Sequence, residues 1–76
     1  MKKVLIIAPD GSEEMEITPF IEMPGWTKVV PDIERVDAVS AGWDDVIQLF
    51  HGMKIVPDLK IDEVDPDDYD VICIPG

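Results

Sequence analysis

Met1-Lys2-Lys3-Val4-Leu5-Ile6-Ile7-Ala8-Pro9-Asp10-Gly11-Ser12-Glu13-Glu14-Met15-Glu16 opens the chain, and its reading decides the rest. Residues 3–8 form an unbroken β-branched and aliphatic run that stops at a turn signal, Pro9-Asp10-Gly11-Ser12. An apolar run without alternation reads as a strand covered on both faces, the mark of a parallel sheet flanked by helices. Ser12 stands where a helix N-cap belongs, and Glu13 and Glu14 bring negative charge to the first turn, where it suits the helix dipole. Met15, Ile17, Phe20 and Ile21 then supply a buried stripe. Pro19 either kinks one helix or starts a second, with Thr18 as N-cap and Pro19 at the first helical position. Pro24-Gly25 ends the helix.

Working outward, Asp70-Val71-Ile72-Cys73-Ile74 reads like the opening strand and stops at Pro75-Gly76. A further strand is expected near residues 35–41. Residues 46–50 and 53–56 flank His51-Gly52, a turn dipeptide, and predict a β-hairpin. Residues 62–68 make an acidic connection, and residues 22–33 carry no clear pattern. The fold class is therefore α/β: a flavodoxin-like parallel sheet with strands near residues 3–8, 35–41 and 70–74 and a hairpin inserted between the last two. Two strands covered on both faces need helices on both sides, yet only residues 13–23 read as a convincing helix. A naked apolar face drives association. The chain thus reads as an incomplete domain whose cover comes from a continuing chain, a second fragment or a partner subunit.

Composition agrees with a small folded unit. The chain has 76 residues, and domains this small bury only about 60% of their unfolded surface. A single cysteine, Cys73, excludes an intrachain disulfide, and with the single histidine, His51, it cannot build a zinc finger or ribbon. The formal net charge of −11 repels phosphate backbones and anionic lipid, so neither nucleic acid nor membrane is expected as a partner. The apolar run that ends at Pro9 is too short for a signal core or a membrane span, which reads as a cytoplasmic protein. The first turn has one glycine where a dinucleotide fingerprint needs three. The acidic run at residues 62–70 lacks the glycine and the closing glutamate of a calcium loop. No cofactor and no metal are expected. Cys73 reads as a small core residue, His51 as a solvated turn residue, and Trp26 and Trp43 as packing or association residues.

Two stretches carry a resemblance. Gly11-Ser12-Glu13-Glu14-Met15-Glu16 resembles the Gly-x-Glu-Glu-x-Glu turn and helix start of the ThiJ/PfpI family, which includes the parkinsonism-associated deglycase and the PfpI-like intracellular proteases. Tyr69-Asp70-Val71-Ile72-Cys73-Ile74-Pro75-Gly76 resembles that family's Tyr-Asp-strand-Pro-Gly-Gly, and Val56-Pro57-Asp58 adds a third match. Residues 22–33, interrupted by Met23-Pro24-Gly25-Trp26, depart from the family's longer helix. The resemblance implies that residues 1–76 are the N-terminal portion of a single domain, a three-layer sandwich when intact. It also implies a cysteine-dependent enzyme of glyoxalase, deglycase, hydratase or peptidase type, acting on small carbonyl or amide substrates and assembling as a homo-oligomer. Glu16 matches the family's glutamate beside the nucleophilic thiol, where a buried carboxyl can hydrogen-bond the sulfur as the protonated acid. Gly76 matches the first glycine of the turn whose backbone N–H groups hold the oxyanion. The second glycine and the nucleophile have no match in these residues, and Cys73 lies before the Pro-Gly. The alternative is a non-catalytic truncated or split-protein piece that associates with the remaining segment, or another partner, through its uncovered sheet face.

Overall fold

The structure is a computed structural model and describes residues 1–75. Gly76 lies outside the described residues. The expected parallel sheet is present. Strand β1 (Lys2–Ile7) lies between β2 (Val36–Gly42) and a strand at Val71–Cys73, and it is parallel to both. Its register against β2 runs from Lys2 beside Val36 to Ile7 beside Ala41. Leu5 and Ile6 point to opposite faces of β1, as consecutive strand residues must, and both are fully buried. The apolar run at the front of the chain is thus explained: the central strand is covered on both sides.

The core on one face gathers Ile6, Ala8, Ile17, Ile47 and Leu49, with Val4, Ala38, Ile55 and Cys73 packed at its margin. Ile47 and Leu49 come from the expected hairpin, formed by β3 (Ile47–Gln48) and β4 (Lys54–Ile55) in antiparallel pairing. The Leu49 amide donates to the Met53 carbonyl at 2.8 Å across its turn. Gly42, at the end of β2, lets the hairpin fold back. A Cβ there would sit 2.7 Å from Ile47 Cδ1 and 2.9 Å from Ile47 Cγ1.

A short strand that the sequence pattern conceals, β5 (Leu59–Lys60), extends the sheet beyond β2 in parallel. Asp58 and Ser40 hold it there. The Ser40 amide donates to Asp58 Oδ2 at 2.9 Å, and the Asp58 amide donates to Ser40 Oγ at 3.0 Å. The acidic connection consists of two 3₁₀ turns, Ile61–Glu63 and Pro66–Asp68. It leads into β6 (Val71–Cys73), giving the sheet order β5-β2-β1-β6. Asp70 locks the entry to β6: its carboxylate accepts from the Lys3 amide, and its own amide donates to the Lys3 carbonyl, both at 2.9 Å.

Several local expectations need correction. Ser12 caps no helix; its hydroxyl donates to the Pro9 carbonyl at 2.8 Å, inside a turn that Gly11 completes at φ +82. The segment that follows is a 3₁₀ turn, Glu14–Glu16, and then a separate helix α1 (Thr18–Trp26), with Ile17 rather than Thr18 at the N-cap and Pro19 in its first turn. The second of the two readings of Pro19 therefore holds, displaced by one residue. A 3₁₀ turn advances three residues per turn, so the helical phase breaks between Met15 and Ile17. Met15 is 72% exposed and Ile17 is 1% exposed. Phe20 and Ile21 are also exposed, so the expected stripe reduces to Ile17.

Pro24-Gly25 does not end α1. Pro24 sits inside the helix, whose last turn unwinds at Thr27. Thr27 Oγ1 accepts from the Val36 amide at 3.0 Å and fastens this end of the helix to the start of β2. The last strand also departs from expectation. Val71 and Ile72 point to opposite faces of β6 and are both about half exposed, at 51% and 47%, because β6 is the outer strand of the sheet. Trp26 and Trp43 are exposed.

Candidate active-site carboxyl

In a parallel sheet the loops that leave the C-terminal ends of neighbouring strands meet at one edge, and ligand sites of open α/β folds lie along that edge. Here Pro9-Asp10-Gly11-Ser12 leaves β1 at this end, and Ile74-Pro75 leaves the adjacent β6 at the same end. The Glu14–Glu16 turn follows directly from the β1 loop. Its two carboxyl groups are held apart by geometry: a 3₁₀ turn sends positions 14 and 16 in different directions.

Glu16 is half-buried, and its Oε2 is the buried side-chain oxygen among the described residues that has no hydrogen-bond partner. Buried polar atoms are almost always paired, because an unpaired one keeps its full desolvation cost. Its position on the turn that leaves β1 at the end of the sheet where ligand sites of open α/β folds lie makes Glu16 a candidate site residue. Ionised, the oxygen can accept a hydrogen bond from an arriving thiol or water; protonated, it can donate one. The backbone around it is firmly set. The Glu16 amide donates to the Glu13 carbonyl at 3.0 Å, and the next side chain, Ile17, is locked in the core.

Glu14 faces the hairpin. Its carboxylate accepts from the His51 amide at 3.0 and 3.1 Å and from the Met53 amide at 3.2 Å. Desolvation beside the hairpin pushes the Glu14 carboxyl up. The hydrogen bonds from the His51, Glu14 and Met53 amides and the nearby His51 charge outweigh it, and the net shift is downward. The His51 imidazole is exposed, with Nε2 3.8 Å from Glu13 Oε1. The expectation of a solvated turn residue agrees with this placement. Nothing in the spacing of residues 14 and 51 signals the Glu14 contact, which only the folded hairpin creates.

Cys73 is half-buried within β6 and packs at the margin of the core as a small apolar side chain. The glycine expected to hold the oxyanion, Gly76, lies outside the described residues. Among the described residues no group of three His, Cys, Asp or Glu side chains is arranged to hold a metal ion, and no helix is long and apolar enough to cross a membrane.

Known proteins share this fold. The model of the DJ-1/PfpI family matches residues 2–76. A deglycase of Thermococcus kodakarensis is 35% identical over 77 residues, an alignment that takes in 97% of this chain and 41% of the relative. An uncharacterized protein of Staphylococcus haemolyticus is 33% identical and likewise covered over 41% of its length. Among solved structures, oxidized DJ-1 of Toxoplasma gondii superposes with a TM-score of 0.82 at 26% identity, covering 100% of this chain and 39% of that one. DJ-1beta of Drosophila melanogaster superposes at 0.80 with 25% identity, over 99% of this chain and 38% of that one. The chain thus spans about two fifths of the length of the relatives it matches.

Proposed function

The chain belongs to the DJ-1/PfpI family, and from that premise we propose that residues 1–76 form the carboxyl-bearing part of a cysteine-dependent enzyme acting on small carbonyl or amide compounds. Glu16 is the working residue. The observation that carries this reading is its buried, unpartnered Oε2. A nucleophilic thiol supplied by a segment beyond these residues, in the same chain or another, gives that oxygen its partner. The thiolate adds to the carbonyl carbon, and Glu16 returns or removes the proton as the adduct forms and collapses. The backbone N–H groups after Pro75, Gly76 among them, hold the developing oxyanion. We do not assign the nucleophile to Cys73, which packs at the core margin within β6 and precedes the Pro-Gly turn. The relative from Thermococcus kodakarensis, a deglycase, makes glycated compounds the first substrates to try, and the resemblance to glyoxalases adds small dicarbonyls.

The test is activity toward a small dicarbonyl, measured with these residues joined to, or mixed with, the segment that supplies the thiol. Glu16→Ala should lower kcat at least 100-fold, the lower range for loss of a general acid–base group. Glu16→Asp should recover part of it. Full activity in Glu16→Ala would remove Glu16 from the mechanism.

A second reading has its own observation. Val71 and Ile72 on the outer strand and Ile74 just after it are exposed, and an apolar groove of about 360 Å³ runs between β6 and α1, lined by Val4, Phe20, Met23, Val71 and Cys73 among others. On this reading the 76 residues act as a non-catalytic piece that associates through this uncovered side of the sheet.

A further inference from the structure

The reading of Glu16 raises the question of what keeps an unpaired carboxyl in place. Three facts bear on it. First, the Glu14 carboxylate ties the Glu14–Glu16 turn to the hairpin through two amides, those of His51 and Met53. Second, the Glu14 carbonyl accepts both the Ile17 amide at 3.1 Å and the Thr18 hydroxyl at 3.1 Å, so the same residue holds the start of α1. Third, the other bonds from the hairpin reach the loop before this turn rather than the turn itself. The Phe50 amide donates to the Ser12 carbonyl at 2.9 Å and the Gly11 amide to the Gln48 carbonyl at 2.8 Å. Glu14 is therefore the side chain through which the hairpin grips the turn that carries Glu16, two residues away.

We infer that Glu14 is a positioning residue: by binding the hairpin amides of His51 and Met53 it fixes the 3₁₀ turn and so aims the Glu16 carboxyl at the sheet edge. The inference rests on the proposed role of Glu16 and adds to it a residue that touches neither substrate nor thiol. A carboxylate accepting several backbone N–H bonds holds its geometry best when ionised. The charged groups around Glu14 are Glu13 on its own turn, the His51 imidazole on the hairpin and Asp10, whose Oδ1 accepts from the Gln48 amide at 3.2 Å.

The experiment is nuclear magnetic resonance on the full 76-residue chain, following the His51 and Met53 amide protons, the Glu16 carboxyl carbon and the couplings that report the Glu16 side-chain rotamer. In Glu14→Gln, the two amide signals should shift upfield and the Glu16 couplings should move toward rotamer-averaged values. In Glu13→Gln, which removes the same charge one residue earlier, the Glu16 couplings should stay as in the parent. Movement of the amides with unchanged Glu16 couplings would overturn the inference, since it leaves Glu14 as a hairpin anchor only. If Glu14→Gln fails to fold, Glu16→Gln decides, since position 16 then does not titrate. There a common pH step in the two amides and the side-chain couplings at position 16 supports the link, and a step in the amides alone refutes it. This outcome is separate from the activity of Glu16→Ala, which can succeed or fail independently.

Discussion

Gly42→Ala tests the packing that brings the hairpin over β2 and so sets the ground beneath the candidate site. The new methyl would stand 2.7 Å from Ile47 Cδ1, 2.9 Å from Ile47 Cγ1 and 3.3 Å from the Ala8 carbonyl oxygen. Ile47 is fully buried, and Ala8, directly after the central strand, is held by its amide bond to the Ala41 carbonyl at 2.8 Å, so neither neighbour can swing away. Overpacking of this kind costs about 1–3 kcal/mol. Replacing a strand glycine returns about 0.5–1 kcal/mol through the unfolded chain, which leaves a net loss of about 1–2 kcal/mol. With a urea m-value of about 1 kcal/mol/M for a chain this small, the midpoint should fall by about 1–2 M. Repeating the substitution in an Ile47→Ala background removes both close contacts. There Gly42→Ala should cost nothing, and the double-mutant cycle should show a coupling of about 1–2 kcal/mol. An undiminished loss in the Ile47→Ala background, or a stabilised Gly42→Ala alone, would refute the described packing.

Ser40→Ala strips the acceptor from the Asp58 amide and should cost about 1 kcal/mol by urea denaturation, with the loss of amide protection concentrated at Leu59 and Lys60. Thr27→Val leaves the Val36 amide without its acceptor and should cost about 1–2 kcal/mol, loosening the join between α1 and β2 in hydrogen exchange. Glu14 predicts a pH dependence. Its folded-state carboxyl titrates below its unfolded value, so its contribution is present above the ordinary glutamate range and is lost as pH falls through the lowered folded value. Comparing stability of the parent and Glu14→Gln across this acid range should show the two converging at the lowest pH. A constant gap between them would contradict the assignment.

The parts of the fold that were legible in sequence are those where one local signal agrees with the tertiary outcome. The unbroken run at residues 3–8 marks a central strand because only full cover on both faces tolerates such a run, and Leu5 and Ile6 have that cover. His51-Gly52 marks the hairpin because flanking apolar residues and a turn dipeptide coincide there. The Gly11-Ser12-Glu13-Glu14-Met15-Glu16 resemblance singles out Glu16 as a candidate, and its orphan oxygen supplies an independent physical reason to propose it.

What was not legible depended on contacts distant in the chain. α1 is apolar around much of its circumference, with Phe20, Ile21, Met23 and Trp26 all exposed, so no stripe distinguishes an inner face. Pro24 lies within the helix, and its carbonyl accepts the Thr27 amide at 3.0 Å where the last turn unwinds, a contact the Pro-Gly pair does not announce. The two residues of β5 are too few for any period, and the Ser40–Asp58 exchange that holds them spans 18 positions. The exposure of β6 follows from its place at the sheet edge, which composition does not reveal.

The central claim is that Glu16 is the carboxyl partner of a thiol supplied from beyond these 76 residues. The measurement that reaches it most directly is the titration of that thiol, followed by its ultraviolet thiolate absorbance, in the protein that carries both parts. With Glu16 paired to the sulfur, Glu16→Gln should displace the thiol's titration midpoint, while Glu13→Gln on the same turn should leave it in place. Superimposable titration curves for the parent and Glu16→Gln would contradict the account.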